Sequence, residues 1–167
     1  MILLIAALAC TPANILFGWR QAIQIRRPLG LYAFIYITFH LWFYAVYDGA
    51  LDVELIWRDL GERPSMAIGL VGFLTLLPLA LTSTDGWKRR LGKHWRTLHW
   101  LVYVAAPLSV LHFFWLDRDI KTEPLIYAAV VGALLALRLP PVRRALVRLR
   151  YGLRSPGAGA DQQRTTL

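Results

Sequence analysis

Residues 97–116 read TLHWLVYVAAPLSVLHFFWL, and this stretch decides the class of fold. A helix needs about 20 mostly apolar residues to cross the hydrocarbon core of a membrane. The stretch has that length and contains no Asp, Glu, Lys or Arg. It does contain two histidines, His99 and His112. An ionisable side chain inside a membrane is costly and usually has a functional partner, so the stretch predicts a spanning helix that also takes part in function.

Four further segments have the same apolar character. They are residues 2–19, 28–47, 65–82 and 124–139. The composition agrees, with 57% hydrophobic residues, 17% charged residues and a mean hydropathy of +0.46. Lipid offers no hydrogen-bond partner to an open strand edge, so each segment is expected to be a helix. The sequence therefore predicts an all-α integral membrane bundle of about five transmembrane helices.

The charges between these segments predict the orientation of the bundle. Residues 20–27, the stretch 83–96 and the tail 138–167 lie on one side and carry 15 basic and 2 acidic residues. Residues 48–63 and 117–123 lie on the other side and carry 4 basic and 8 acidic residues. Because cytoplasmic loops are enriched in Lys and Arg, the first side is expected in the cytoplasm and the N-terminus outside.

The net charge of +9 has the same explanation. A basic chain can indicate nucleic-acid binding, but here the basic residues cluster beside the apolar segments. They are therefore interpreted as orientation signals and as contacts to anionic lipid headgroups. No nucleic-acid partner is expected.

Two stretches outside the spans are amphipathic. Within residues 48–63, a short surface helix is predicted from Leu51, Val53, Leu55, Ile56, Trp57 and Leu60. Residues 140–154 are basic, with apolar residues at helical spacing, and are expected to lie on the inner leaflet. Residues 155–167 are rich in Gly, Ala, Gln and Thr, which predicts disorder. The expected division is thus a membrane domain, 1–139, a basic cytoplasmic segment, 140–154, and a disordered tail, 155–167.

The depth of each membrane histidine follows from its distance to the flanking charges. His40 lies 13 residues after Arg27, and His112 lies 16 residues after Arg96. At about 1.5 Å per residue, both imidazoles reach similar depths nearer the outer face, on helices that run in the same direction. Two imidazoles at one level suit the two axial positions of a haem iron, as in an electron carrier.

His99 lies near the inner face, about 20 Å from His112 along the helix axis. A second haem would need a ligand at the matching position before His40, where the sequence has Arg26 and Arg27. Thirteen residues also leave the two histidines roughly 140° apart around an ideal helix, unless Pro107 kinks it. His99 is therefore an additional candidate ligand without a histidine partner.

Simpler explanations remain open for each histidine. A lone membrane histidine can serve only to hydrogen-bond a neighbouring helix. His94 lies in a basic run at the inner boundary and is interpreted as an interfacial residue. A zinc site would need further Cys, Asp or Glu ligands, and within the apolar segments the sequence offers Cys10.

Catalytic machinery is not visible in the sequence. There is no Gly-rich nucleotide-binding loop, no Ser/His/Asp set and no soluble domain for NAD(P)H. No catalytic residue is therefore assigned, and a haem in this chain would need electrons from a separate reductase or from quinol.

Several short motifs give the chain a family resemblance over residues 1–150. They are RRPLGL at 26–31, FHL at 39–41, LTST at 81–84, LGKHWRTLH at 91–99 and PLIY at 124–127. In combination they resemble the haem-binding membrane subunits of bacterial periplasmic methionine-sulfoxide reductase systems, the MsrQ or YedZ family. That family belongs to the ferric-reductase-like transmembrane domains. The family usually has one further span before the one that aligns with residues 2–19; the expectation here is either a short member or a sequence whose start is misplaced.

The resemblance implies a multi-pass protein of the bacterial inner membrane that carries electrons through haem b. The donor would be a cytoplasmic flavin reductase or quinol. The acceptor would be a periplasmic molybdopterin-containing reductase that repairs oxidised methionine. One haem b is expected, and a second haem and FMN are further options.

The resemblance also implies roles for individual residues. His40 and His112 would be the outer haem ligands, and His99 an inner ligand or part of a flavin or quinone site. Four basic residues at the inner boundary would pair with haem propionates or an FMN phosphate; they are Arg26, Arg27, Lys93 and Arg96. Lipid headgroups are an equally good explanation for each of these four.

Two other functions stay open at the level of sequence. One is a stand-alone ferric or cupric reductase on the same haem scaffold. The other, from a different class, is a haem-free small transporter or assembly factor. A reduced-minus-oxidised absorbance spectrum separates the haem-free class from the rest.

Overall fold

The computed structural model describes residues 1–116 and 122–152, and helices make up nearly all of this part of the chain. In chain order they are α1 (Ile2–Phe17), α2 (Arg20–Phe43), α3 (Val53–Glu62), α4 (Pro64–Leu81), α5 (Asp85–Leu91), α6 (Lys93–Leu98), α7 (Val102–Leu116), α8 (Thr122–Ala136) and α9 (Pro140–Gly152). A π-helical turn, Tyr44–Asp48, continues α2, and a 3₁₀ turn, His99–Leu101, joins α6 to α7. No β-strand occurs in the described residues, so the all-α class is confirmed.

Length and composition mark the helices that can span a membrane. Within the described residues, Arg20–Asp48, Pro64–Leu81 and Lys93–Leu116 qualify alone, and α8 qualifies only together with α9, from which it is bent by 71°. The apolar helix α1 has 16 residues. At about 1.5 Å per residue it is roughly 24 Å long, short of a hydrocarbon core of about 30 Å. Of the five predicted spans, three are thus of full length, and the first and last are short.

The start of the second span differs from the sequence prediction. From the sequence, residues 20–27 are expected to form a connection, and the second span is expected to begin at residue 28. In the structure α2 already begins at Arg20 and runs through Pro28. Gly18 adopts a left-handed conformation, φ 73°, and ends α1 with a tight turn. The chain therefore re-enters a helix two residues later, and Arg26 and Arg27 lie on α2.

The core lies where α1, α2, α4, α7 and α8 meet. One cluster of buried side chains comprises Leu4, Ala33, Leu76, Leu79 and Ala105. A second comprises Leu8, Ala106, Val110 and Val131. Ala105 and Ala106 on α7 are completely buried. Small residues let membrane helices approach closely, and this pair brings α7 into the centre of the bundle.

The short outer helix predicted within residues 48–63 is present as α3. Its first turn is capped by Asp52, whose carboxylate accepts hydrogen bonds from the N–H groups of Glu54 and Leu55. Asp59 is buried, accepts a hydrogen bond from the Tyr44 hydroxyl at 2.9 Å and lies 3.5 Å from Arg63 Nε. These contacts fasten α3 to the end of α2.

A proline in α1 explains how the end of α8 is attached. Pro12 has no N–H, so the carbonyl of Leu8, one turn earlier, has no helical partner. Arg138, just after α8, donates from Nη2 to this carbonyl at 2.7 Å and to Thr11 Oγ1 at 3.3 Å. A buried carbonyl left without a donor is costly. By donating to the Leu8 carbonyl, Arg138 avoids this cost and links the end of α8 to α1.

We expect Arg138→Met to destabilise the bundle by about 1–3 kcal/mol, because the Leu8 carbonyl loses its donor. The thermal unfolding midpoint of the purified protein in detergent measures the effect. Arg143→Met is the control, because Arg143 is exposed on α9 and an exposed substitution usually changes stability by less than about 0.5 kcal/mol. Equal midpoints for the two variants would contradict the assigned role of Arg138.

Candidate functional site

A large cavity lies at the end of the bundle where α2 ends and α4 begins. Its volume is about 2110 Å³, above the roughly 300–1,000 Å³ of a typical small-molecule pocket. Aromatic rings form much of its wall, namely Tyr32, Tyr36, Phe43, Tyr44, Tyr47, Trp57, Phe73, Phe113, Phe114, Trp115 and Tyr127. Such a cavity has room for a large, flat, mainly apolar ligand.

His40 and His112 both line this cavity, and each projects from a different helix. Their ring centroids are 6.2 Å apart, and the ring planes are inclined by 76°. The structure therefore brings together the two histidines that the sequence places at one depth. α2 contributes His40 and α7 contributes His112, with α4 packed beside α7.

The distance between the two rings can be compared with that of axial ligands. A bond from a metal to an imidazole nitrogen is about 2 Å long, and the ring centre lies about 1 Å further out. Two imidazoles on opposite sides of one iron thus have centroids about 6 Å apart. The observed 6.2 Å agrees with this value, so the spacing of the two rings is compatible with a metal ion held between them.

A backbone carbonyl determines the tautomer of His112. Its Nδ1 lies 2.7 Å from the carbonyl oxygen of Ser65 on α4. A carbonyl oxygen can only accept, so Nδ1 carries the proton and donates it. Nε2 then keeps its lone pair, which is the form that a metal-binding histidine requires.

His40 lies one helical turn before Tyr44, where α2 has ended and the π-helical turn begins. The N–H of Tyr44 bonds to the carbonyls of both His40 and Leu41, where the helix changes to the π-helical turn. The His40 ring itself is exposed to the cavity, so it is available to a ligand there.

His99 occupies a separate place in the fold. It begins the 3₁₀ turn between α6 and α7, its Nδ1 lies 3.0 Å from the Trp95 carbonyl, and its ring stacks on Trp95 at 3.8 Å. The Trp95 indole in turn donates to the Thr82 carbonyl. His99 does not line the cavity of His40 and His112. The departure from α-helical geometry is at His99–Leu101, whereas α7 continues through Pro107.

The four basic residues considered for a propionate or phosphate lie away from the cavity wall. Arg26 donates to Thr11 Oγ1 at 3.3 Å, and Arg27 donates to Asp85 Oδ1 at 2.6 Å. The hydrogen bond and the charge of Arg27 hold the pKa of the Asp85 carboxyl below its ordinary value. Lys93 and Arg96 are exposed, as is His94.

Sequence reasoning missed three residues of the cavity wall. Arg63 is the basic side chain among the described lining residues. Ser65 supplies the carbonyl that accepts from His112, and Gly69 lies against the His112 ring. The sequence signal for Gly69 was a glycine within an apolar span, but a glycine alone does not show which ring it faces.

A zinc site receives no support from the ligand set. Within residues 1–116 and 122–152, no group of three or more His, Cys, Asp or Glu side chains could hold a metal ion. A structural zinc takes four protein ligands and a catalytic zinc takes three. A haem iron needs at most two ligands from the protein, because the porphyrin supplies the other four, and His40 and His112 both line the cavity.

Comparison with known proteins adds a family to this geometry. Residues 1–110 match the model of the ferric reductase like transmembrane component. The protein-methionine-sulfoxide reductase heme-binding subunit MsrQ of Rhodospirillum rubrum is 45% identical over 157 residues, which cover 93% of this chain and 74% of the relative. No solved structure matches the chain significantly.

Two further relatives carry the same name. The subunit of Caulobacter vibrioides is 41% identical over 85% of this chain and 68% of its own length. The subunit of Xanthomonas axonopodis pv. citri is 43% identical over 82% of this chain and 63% of its own length. The chain therefore belongs to the ferric-reductase-like transmembrane family and, within it, to the MsrQ group of membrane subunits.

Proposed function

We propose that this chain is a haem-binding electron-transfer subunit of a methionine-sulfoxide reductase system. The observation that carries the proposal is the pair His40 and His112, whose rings are 6.2 Å apart at a cavity of about 2110 Å³. The family is consistent with this function, since its relatives are named heme-binding subunits of that system. The chain is a multi-pass protein of the bacterial inner membrane.

His40 and His112 are the proposed axial ligands of one haem b. Bound there, haem would supply one-electron redox chemistry. The two imidazoles project from α2 and α7, which both pack against α4, and the Ser65 carbonyl keeps His112 in the tautomer with a free Nε2. A haem held by both His40 and His112 would offer a substrate no place on the metal, which would suit electron transfer more than catalysis.

The aromatic wall of the cavity supports the same function. Apolar and aromatic side chains exclude water and lower the local dielectric, which tunes the potential of a bound redox group. Arg63 lies at the cavity wall and offers a positive charge for a propionate. We therefore add Arg63 to the propionate candidates from the sequence, which lie elsewhere in the fold.

Electrons are proposed to enter from the cytoplasmic side, near His99. The Nδ1 of His99 is bonded to the Trp95 carbonyl, so its Nε2 is the free nitrogen. We propose that His99 contacts quinol or a flavin of the donor rather than a second haem. FMN binding at Arg26, Arg27, Lys93 and Arg96 stays a prediction from the family resemblance.

The acceptor is proposed to be a periplasmic molybdopterin-containing reductase that repairs oxidised methionine. The cavity is at the end of the bundle that the charge pattern places outside, where such a partner could receive electrons. At the opposite end, α9 carries Arg143, Arg144 and Arg148 and is proposed to lie on the cytoplasmic membrane surface.

The proposal is tested by a reduced-minus-oxidised absorbance spectrum of the purified protein together with a haem assay. We expect b-type bands and one haem per chain. Electron delivery is then measured with the methionine-sulfoxide reductase partner and, separately, with a ferric chelate. Delivery to the partner at a rate well above that to the chelate supports the proposed function over a stand-alone ferric reductase. A protein without b-type bands would contradict the proposal.

A further inference from the structure

We propose that Gly69, together with the backbone carbonyl of Ser65, positions His112 as a haem ligand. Both groups lie on α4, whereas the histidine lies on α7. The inference rests on the proposed function. α4 contributes neither of the two histidines. Its role in this inference is to hold the His112 imidazole in place.

Gly69 provides the space in which the His112 ring lies. A Cβ at position 69 would be 2.7 Å from both Cε1 and Nδ1 of His112 and 3.5 Å from its Nε2. Heavy atoms this close overlap, so any residue other than glycine would displace the ring. The side of α4 at Gly69 is thus in direct contact with the imidazole.

Ser65 lies one turn before Gly69 on the same face of α4. Its carbonyl accepts the Nδ1 proton of His112 at 2.7 Å. The His112 ring is therefore held by a hydrogen bond at Ser65, and one turn later on α4 it packs against the backbone of Gly69. A displaced ring would lose the hydrogen bond and move out of line with His40. Groups that orient a metal-binding histidine in this way typically change affinity for the bound group by about 10–100-fold when altered.

Gly72 offers a matched control on the same helix. It faces α7 one turn further along, and a Cβ there would meet only Leu108 Cβ at 3.8 Å, an ordinary contact. Alanine is also a better helix former than glycine. Local helix propensity therefore predicts no harm from alanine at either position. Gly72 lines the same cavity as Gly69, but the close approach to His112 occurs at Gly69 and not at Gly72.

The first experiment compares Gly69→Ala and Gly72→Ala with the parent protein. We expect haem affinity about 10–100-fold weaker for Gly69→Ala and unchanged for Gly72→Ala. The haem that Gly69→Ala retains should show an altered midpoint potential and an altered low-spin EPR signal, because that signal depends on the angle between the axial rings. Unaltered affinity, potential and EPR signal in Gly69→Ala would overturn the inference, as would an equal loss of haem in Gly72→Ala.

A second experiment separates the contact with His112 from a general folding defect. Thermal unfolding is measured without haem for the parent, Gly69→Ala, His112→Ala and the double variant. We expect Gly69→Ala to destabilise the parent but to be neutral or stabilising when His112 is already alanine, since the clash is then gone. Equal destabilisation in both backgrounds would overturn the inference.

The two proposals can fail separately. A parent protein that binds no haem contradicts the proposed function, while the haem-free cycle still measures the contact between Gly69 and His112. A parent protein that binds haem, with Gly69→Ala unaltered in every respect, contradicts only the positioning role.

Discussion

His40→Ala and His112→Ala are each expected to reduce haem content to less than about a tenth of the parent level. Each substitution removes one of two protein ligands, and even groups that merely orient such ligands change affinity about 10–100-fold. Because the proposed electron path requires that haem, electron delivery to the reductase partner should be lost as well. Haem per chain, measured on membrane-inserted protein, is the primary readout.

His94→Ala is the control for this prediction, since His94 is exposed on α6 and lies away from the cavity. It should keep full haem content. A complementary variant is His40→Met, because methionine can replace histidine as an axial ligand and raises the haem potential. Full haem content in the His40→Ala or the His112→Ala variant would contradict the assignment of that histidine as a haem ligand.

His99→Ala is expected to separate haem binding from reduction of the haem. The imidazole of His99 does not line the cavity, and its ring is stacked on Trp95. The variant should therefore keep one haem per chain and normal reduction by dithionite. Reduction by quinol or by a flavin reductase should slow by about 100-fold or more, the lower end of what the loss of one positioned proton-transfer group costs.

Trp100→Ala is a suitable control for this second prediction. Trp100 neighbours His99 in the chain but is exposed, so its loss should leave reduction by the physiological donor nearly unchanged. If His99→Ala instead loses half or more of the haem, His99 is itself a haem ligand. Unaltered donor rates would show that His99 takes no part in electron entry.

Comparison of sequence and structure shows which features hydropathy can predict. The all-α membrane class followed from uncharged runs such as 65–82, and the family resemblance from motifs such as LGKHWRTLH at 91–99; both are confirmed. The short helix α3 within residues 48–63 was also correctly predicted. Helix ends were less predictable, because α2 tolerates Pro28 in its interior and begins at Arg20.

The pairing of His40 with His112 illustrates the limit of depth arguments. Counting residues from the flanking charges placed both imidazoles at one level, but it gave no information on which helices are neighbours or which way each ring points. The 6.2 Å separation depends on the packing of α2, α4 and α7. That packing depends on residues far apart in the chain, such as Ala33, Leu76 and Ala105.

By itself, then, the sequence determined the chemistry available and its depth in the membrane. Hydrophobic length, the distribution of charge and the position of each histidine are properties of the chain taken in order. The tertiary structure alone decided that Arg138 serves the carbonyl left free by Pro12, and that Ser65 and Gly69 hold His112. These contacts join residues 43 to 130 positions apart, and their existence depends on helix rotation and close approach, which no one-dimensional pattern records.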